Sequence, residues 1–178
     1  TLSLMACGGG NDEGTETASR EMKIAMITDS GDITDQSFNQ TTYENCAKWS
    51  EENGVEFNYY KPESDSDEAR NASVDQAVAD GANVIVMPGY MFAATIVEQS
   101  DMYPDVKFVA LDVSANDICE EGVGEGYDYI PENWDVTEYY NTDNVYCCTY
   151  QEEVSGYMAG YAAVKLGYTK LGFLGGMS

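Results

Sequence analysis

Short apolar runs alternate along the chain with longer segments in which apolar residues recur at helical spacing. An apolar run of about four to eight residues is typical of a buried strand, whereas an amphipathic helix repeats its apolar positions every three or four residues. The pattern predicts strands over residues 23–28, 55–60, 83–87, 107–111, 144–149 and 170–174. It predicts helices over residues 37–53, 66–80, 92–100 and 153–166.

Helices that separate successive strands predict an α/β fold with a doubly wound parallel sheet. Right-handed crossovers place the loops that follow the strands along one edge of such a sheet, and open α/β sheets bind their ligands there. One connection, residues 114–143, is long and carries nine Asp and Glu residues without any Lys or Arg. Its acids lack the alternating register of a calcium-binding loop, so we expect an acidic surface loop rather than a metal site.

Composition narrows the kind of partner. The 178 residues suffice for one α/β domain and are short for two, and 43% hydrophobic content indicates a folded core. Asp and Glu number 32 against eight Lys and Arg, which gives a formal net charge of -24. This field repels nucleic acid and multiply phosphorylated ligands, so we expect no nucleic-acid partner. A neutral, hydroxyl-rich small molecule meets no such repulsion.

The chain has no His, which excludes Ser-His-Asp and Cys-His catalysis and any His-based metal site. Its five Cys residues form no CxxC pair, so neither a zinc site nor a thioredoxin-like motif is present in the sequence. Cys147 and Cys148 adjoin within a predicted strand, where neighbouring side chains face opposite ways. We therefore expect both to be ordinary small apolar residues, and we expect no cofactor.

The first residues resemble the end of a lipoprotein signal peptide, with Leu4 and Ala6 before Cys7 and a small residue, Gly8, after it. Residues 8–19 are mostly Gly, Asn, Asp, Glu, Thr and Ser, the composition of a flexible spacer. The sequence thus predicts that residues 1–22 are a signal remnant and tether, lipidated at Cys7 on the extracytoplasmic face of the cell membrane. A cloning remnant or a frayed terminus is the alternative.

The loop after the first predicted strand, residues 28–40, brings three carboxylates to the ligand edge: Asp29, Asp32 and Asp35. Asp35 is placed to cap the following helix. Asp29, at the end of a central strand, can accept hydrogen bonds from vicinal hydroxyls or from a ring N–H. Phe38 offers a ring for stacking. The alternative, with Phe38 in the core and all three Asp residues as turn formers, stays open here.

Three motifs, residues 27–40, 150–160 and 172–177, resemble the basic membrane protein family of nucleoside-binding lipoproteins, and the resemblance extends over nearly everything from Lys23 onward. Tyr150, where Phe is expected, and the acidic segment 114–143 depart from the family pattern. The resemblance implies a type I periplasmic-binding-protein fold whose two lobes capture a purine nucleoside for an ABC permease and ATPase. It implies no catalysis.

The resemblance also implies residue roles. Asp29 would hydrogen-bond the base, Phe38 would stack on it, and Asp112 would meet the ribose. Asp112 also follows the apolar strand 107–111 directly, so its position at the ligand edge does not depend on the family. The remaining candidates are Ser30, Asp35 and Asn39 in the first loop, and Gly89 and Tyr90 after the third strand. A plain turn after Pro88 is the alternative for the last two.

By the same resemblance, residues 23–150 would form the first lobe, and residues 151–178 the crossover and a truncated beginning of the second. The leading hypothesis is therefore a membrane-tethered binding protein. Two alternatives use the same lobe. One is a sensor for a membrane kinase, and the other is an enzyme that acts on a glycoside with Asp29 and Asp35 as its acid-base pair.

Overall fold

A computed structural model describes residues 21–174 and places five strands in one parallel sheet. The strands are β1 (Lys23–Ile27), β2 (Glu56–Tyr60), β3 (Val84–Pro88), β4 (Lys107–Leu111) and β5 (Val145–Cys148). The helices are α1 (Phe38–Asn53), α2 (Asp67–Ala79), α3 (Ala93–Gln99), α4 (Ala115–Val123) and α5 (Glu152–Lys165). The strand order is β2-β1-β3-β4-β5, which confirms the predicted doubly wound sheet.

The two faces of the sheet are covered unequally. Helices α2, α3 and α4 pack side by side on one face, whereas α1 packs against β1, β2 and β3 from the other. Side chains alternate along each strand, so Ile27, Met87 and Phe108 belong to the core beneath the three helices. Val86 and Leu111 point to the face of α1 and are only half-buried.

Local sequence explains where the first two helices begin and end. The chain leaves α1 through Gly54, whose φ of 66° is left-handed and suits a residue without a Cβ. Helix α2 begins after Ser66, whose hydroxyl accepts a hydrogen bond from the N–H of Ala69.

On β5, Cys147 packs against the core and Cys148 alternates to the other face, as predicted. Burial and the neighbouring Cys148 raise the pKa of Cys147 to about 11, so its thiol stays protonated.

The acidic connection is more ordered than the predicted surface loop. It contains α4, which begins with a capping box formed by Ser114 and Asp117. Ile118 is 2% exposed and belongs to the core, and Gly122 leaves room for the ring of Tyr139 to lie against the helix. The acids take the solvent-facing positions, and the few apolar residues between them hold the segment to the sheet. A surface loop was the wrong prediction for this part of the connection.

The predicted strand at residues 170–174 is also wrong. The segment has no regular secondary structure, and Phe173 and Leu174 are 91% and 98% exposed. A strand needs a neighbour for its backbone N–H and C=O groups, and within residues 21–174 none lies beside this segment. Helix α5 lies where it was predicted, but none of its residues is buried. No helix in the described part of the chain combines the length and apolar character required to span a bilayer.

The packing of the acidic connection can be tested with two isoleucines that both belong to it. Ile118→Ala should lower the free energy of unfolding by roughly 2–5 kcal/mol, because it removes a buried side chain and leaves a cavity. Ile130→Ala should change it by less than about 0.5 kcal/mol, because Ile130 is 50% exposed. Urea unfolding followed by circular dichroism measures both. Equal effects would contradict the packed arrangement of α4.

Candidate ligand site at the carboxyl edge of the sheet

The site lies where the chain direction across the sheet reverses. From β1 the chain crosses by α1 to β2 on one side, whereas from β3 it continues by α3 to β4 on the other. In open α/β sheets the loops on the two sides of such a reversal diverge, and the crevice between them is the usual ligand position. Asp29 and Gly89 border this crevice, and a Cβ on Gly89 would lie 3.9 Å from Oδ2 of Asp29. Gly89 has a φ of 129°, which glycine alone adopts readily.

Asn39 fixes the carboxylate of Asp29. Its Nδ2 donates to Oδ1 of Asp29 at 2.7 Å, and its Oδ1 accepts the backbone N–H of Asp29 at 3.2 Å. The N–H of Gly31 donates to the same Oδ1 of Asp29 at 2.6 Å. Oδ1 is thereby committed to the loop, and Oδ2 is the oxygen nearest Gly89. Asn39 is 2% exposed, so its amide acts within the protein.

Asp35 caps α1, as its position in the sequence indicates. Helix α1 begins at Phe38 with Ser37 as its formal N-cap, and the capping bonds come from the carboxylate two residues earlier. Oδ1 accepts the N–H groups of Ser37 and Gln40, and Oδ2 accepts both the N–H and the Nδ2 of Asn39, at 2.8–3.2 Å. Desolvation opposes ionisation of Asp35, but these bonds outweigh it and hold the pKa of the carboxyl below its ordinary value.

Phe38 and Tyr150 bring aromatic surface to the same edge. The ring of Phe38 lies 5.9 Å from that of Tyr150, at an interplanar angle of 75°. Both rings border a groove of about 230 Å³ between α1 and the sheet, together with Val86 and Leu111. Phe38 is half-buried, so it is neither a core residue nor a free surface side chain. The family motif that includes Tyr150 gave no indication of this contact, because the two rings meet only in the folded chain.

Asp112 lies directly after β4, as predicted, in an unusual backbone conformation. Its φ is 64°, a left-handed value that costs most residues about 1–2 kcal/mol and costs Asp less. Its N–H donates to the carbonyl of Cys148 at 2.7 Å, which anchors this turn to β5. Burial raises the pKa of Asp112, and the charges of Glu152 and Asp117 raise it further. Residues with uncommon backbone conformations and carboxyl groups with shifted pKa values both concentrate at functional sites.

The other candidates occupy different surroundings. Ser30 is exposed beside Asp29. Tyr90 begins a short 3-10 helix, Tyr90–Phe92, and lines a separate depression of about 260 Å³ with Arg70 and Glu121. Within residues 21–174, no three Cys, Asp or Glu side chains are arranged to hold a metal ion. The predicted lipidation site, Cys7, lies outside the described residues, as do residues 175–177 of the last motif.

A cation near the edge is already paired. Nζ of Lys61 lies 2.9 Å from Oδ2 of Asp32, and the hydrogen bond and charge of Lys61 lower the pKa of Asp32. Asp32 is therefore paired with a cation of the protein itself. Asp29 instead directs an oxygen to the crevice. The surroundings of Asp112 disfavour its ionised form. The edge favours ligands that donate hydrogen bonds and carry no negative charge.

Comparison with known proteins places this architecture in a family. Residues 22–178 match the profile of the Bmp family, described as ABC transporter substrate-binding protein, PnrA-like. A CD4+ T-cell-stimulating antigen of Listeria innocua and the ABC transporter nucleoside-binding protein BmpA of Lactococcus lactis subsp. cremoris are each 27% identical over 98% of the chain. The chain spans 44% of each of these two relatives.

Two further matches agree. An uncharacterised lipoprotein of Pyrococcus abyssi is 31% identical over 68% of the chain, which spans 30% of that protein. The crystal structure of a lipoprotein fragment from Peptoclostridium difficile 630 superposes with a TM-score of 0.51 at 20% identity, covering 82% of this chain and 99% of the fragment. At that identity the structural match supports the fold alone.

Asp112→Asn should raise the thermal stability of the protein at pH 7, because asparagine tolerates the left-handed backbone and carries no disfavoured charge. The raised pKa means that the folded protein holds this proton more tightly than the unfolded chain does. Ionisation of Asp112 therefore costs folding free energy above its folded pKa, and the cost disappears below the ordinary value of 3.8.

Melting temperatures of wild type and Asp112→Asn across this pH range test the expectation. The variant should melt higher at pH 7, and its advantage should shrink as the pH falls toward 3.8. Asp112→Ala removes the same charge but strains the left-handed turn, so it should be less stable than Asp112→Asn at every pH. A constant advantage, or none at pH 7, would contradict the electrostatic explanation.

Proposed function

The chain belongs to the Bmp family of PnrA-like ABC transporter substrate-binding proteins, and from this membership we propose that it supplies the first lobe of a lipid-anchored receptor that captures a purine nucleoside. The observation that carries the proposal is the carboxylate of Asp29, held by Asn39 with one oxygen toward the crevice beside Gly89. The relative from Lactococcus lactis is named as a nucleoside-binding protein, which supports the choice of ligand.

The chemistry of the edge suits a nucleoside. Oδ2 of Asp29 accepts a hydrogen bond from an N–H of the base, and the half-buried ring of Phe38 offers a face for stacking. Asp112, two strands away in the sheet order, accepts bonds from the ribose hydroxyls. The bonds to Asp112 also remove part of the cost of ionising a carboxyl whose pKa is raised by burial. A nucleotide would bring its phosphates into an acidic field, so we propose selection against phosphorylated forms.

The remaining candidates divide into two groups. Asn39 and Asp35 hydrogen-bond to each other and to the loop, so we assign them to holding Asp29 and the start of α1 in place. Gly89 admits the ligand close to the backbone after β3, with Tyr90 next to it and Ser30 at the rim. Direct contact with the ligand thus rests mainly on Asp29, Phe38 and Asp112.

The geometry argues against the alternative enzyme that uses Asp29 and Asp35 as an acid-base pair. Each oxygen of Asp35 accepts two hydrogen bonds. Because the pKa of this carboxyl is lowered, it is ionised near neutral pH and has no proton to donate. Oδ1 of Asp29 is occupied by Asn39 and Gly31. Oδ2 of Asp29 remains an acceptor, but this pair lacks the second group that the reaction needs, a carboxyl that can donate a proton.

The whole receptor would contain more than this lobe, since the curated relatives are more than twice as long as the part matched here. We propose that residues 151–178, including the exposed helix α5, begin a second lobe that closes over the ligand. Residues 1–22 would be the tether, attached to the membrane through Cys7. The partners would then be an ABC permease and its ATPase, which receive the nucleoside on the extracytoplasmic side.

Ligand binding is tested by calorimetry of the full-length protein with inosine, guanosine and adenosine. We expect binding of at least one, and Asp29→Asn should weaken it by roughly 1.5–3 kcal/mol, because an amide nitrogen can then replace an accepting oxygen. Asp32→Asn is the matched control, since that carboxylate pairs with Lys61. Binding of a sugar or a peptide but of no nucleoside would refute the proposal, and equal affinity of Asp29→Asn would leave Asp29 a turn residue only.

The tether is tested by expression with the native signal in a bacterium. Wild-type protein should partition into detergent and carry a diacylglyceryl group on Cys7, detectable by mass spectrometry. Cys7→Ser should appear in the aqueous phase without that mass, whereas Cys46→Ser, which alters a cysteine inside α1, should still partition into detergent. Wild-type protein that is unmodified and aqueous would refute the lipid anchor.

A further inference from the structure

Tyr150 lies on the segment between β5 and α5, far in sequence from the loop that holds Asp29. Its side chain is 49% exposed, so packing of the core does not require an aromatic ring at this position. The ring nevertheless meets the ring of Phe38 edge to face, at 5.9 Å and 75°. Edge-to-face pairs of this geometry contribute stabilisation beyond their buried area, and they fix the relative orientation of the two rings.

Phe38 is only half-buried, so packing of the core does not enclose its ring on all sides. It is the first residue of α1, and it borders a groove of about 230 Å³ with Thr42, Val86 and Leu111. Dense packing fixes a side chain in one rotamer, whereas a ring that borders an open groove has room to turn. Tyr150 closes one side of that space with a flat, rigid surface. The contact therefore restrains the ring that the ligand is expected to meet.

We propose that Tyr150 is a positioning residue for the ligand, whose ring holds Phe38 in the orientation that stacks on the base. The inference rests on the proposed function, because it takes Phe38 as the stacking residue, and it adds a residue from outside the first loop to the site. The contact is made by the rings, so the hydroxyl of Tyr150 is not needed for it.

The surroundings of the hydroxyl agree with a neutral ring. Burial raises the pKa of Tyr150, and Cys148, Asp112 and Glu152 raise it further. The phenol therefore stays protonated beside Asp112 and adds no charge to an edge that is already acidic. Tyr150 also joins two parts of the site, since it contacts the first residue of α1 from the same turn region that anchors Asp112 through the carbonyl of Cys148.

A double-mutant cycle on the full-length protein tests the proposal, with calorimetry against the purine nucleoside that binds best. Tyr150→Leu should weaken binding roughly two- to tenfold, the range expected for loss of an aromatic pair, and Tyr150→Phe should restore most of the affinity. In a Phe38→Leu background, Tyr150→Leu should have no further effect. Tyr146→Leu, which removes a 64% exposed ring from β5, is the control and should bind as wild type does.

A second measurement needs no ligand. With 4-fluorophenylalanine at position 38, the fluorine resonance should shift between wild type and Tyr150→Leu, because the ring current of Tyr150 is lost, and Tyr150→Phe should resemble wild type. An unchanged resonance in Tyr150→Leu, or an equal loss of affinity with and without Phe38, would overturn the proposal. If wild type binds no purine nucleoside, the proposed function fails, and the fluorine signal still decides whether the ring of Tyr150 lies against Phe38.

Discussion

The site depends on one buried amide placed between two carboxylates. Asn39 donates from a single nitrogen to Asp29 and Asp35, at 2.7 and 2.9 Å, and so holds two like charges in one loop. Without that donor, the two acids would repel each other in a partly desolvated space. The same side chain accepts the N–H of Asp29, so two hydrogen bonds between Asp29 and Asn39 join the loop after β1 to the start of α1. The position of Oδ2 of Asp29, the oxygen nearest Gly89, follows from this arrangement.

Predictions of secondary structure from the sequence are confirmed where a short-range pattern determines the structure. The run at residues 107–111 has the bounds of β4, because its four consecutive apolar residues, 108–111, end directly before the polar Asp112. The prediction failed at α4, because the nine acids of the connection indicated a surface loop and the few apolar residues that pack on the core gave only a weak pattern. It failed again at residues 170–174, because strand formation depends on a neighbour that no local pattern reveals.

The candidate site shows the same contrast between positions that a local pattern predicts and contacts that form only in the folded chain. The positions of Asp29, Asp35 and Asp112 follow from strand ends and helix starts, which the sequence marks directly. The role of Asn39 could not be predicted, since its hydrogen bonds reach back ten residues to Asp29 and exist only once α1 is docked against β1. The contact of Tyr150 with Phe38 could not be predicted for the same reason, and it joins residues that are still farther apart in the sequence. An exposed aromatic residue in a motif carries no sign of which ring it will meet.

The strand order has a consequence for how the protein folds. The strand that leads to Asp29, β1, is the first of the five to be synthesised, and it lies between β2 and β3 and pairs with residues as late as Val86. The sheet can therefore grow in sequence order only by using both edges of β1, first for β2 and then for β3, and the second edge of β1 stays open until β3 is made. Lys23 stands at the start of β1 and pairs with Glu56 at 2.8 Å only when β2 arrives. A charged residue at the end of an exposed strand disfavours pairing of that strand with other chains.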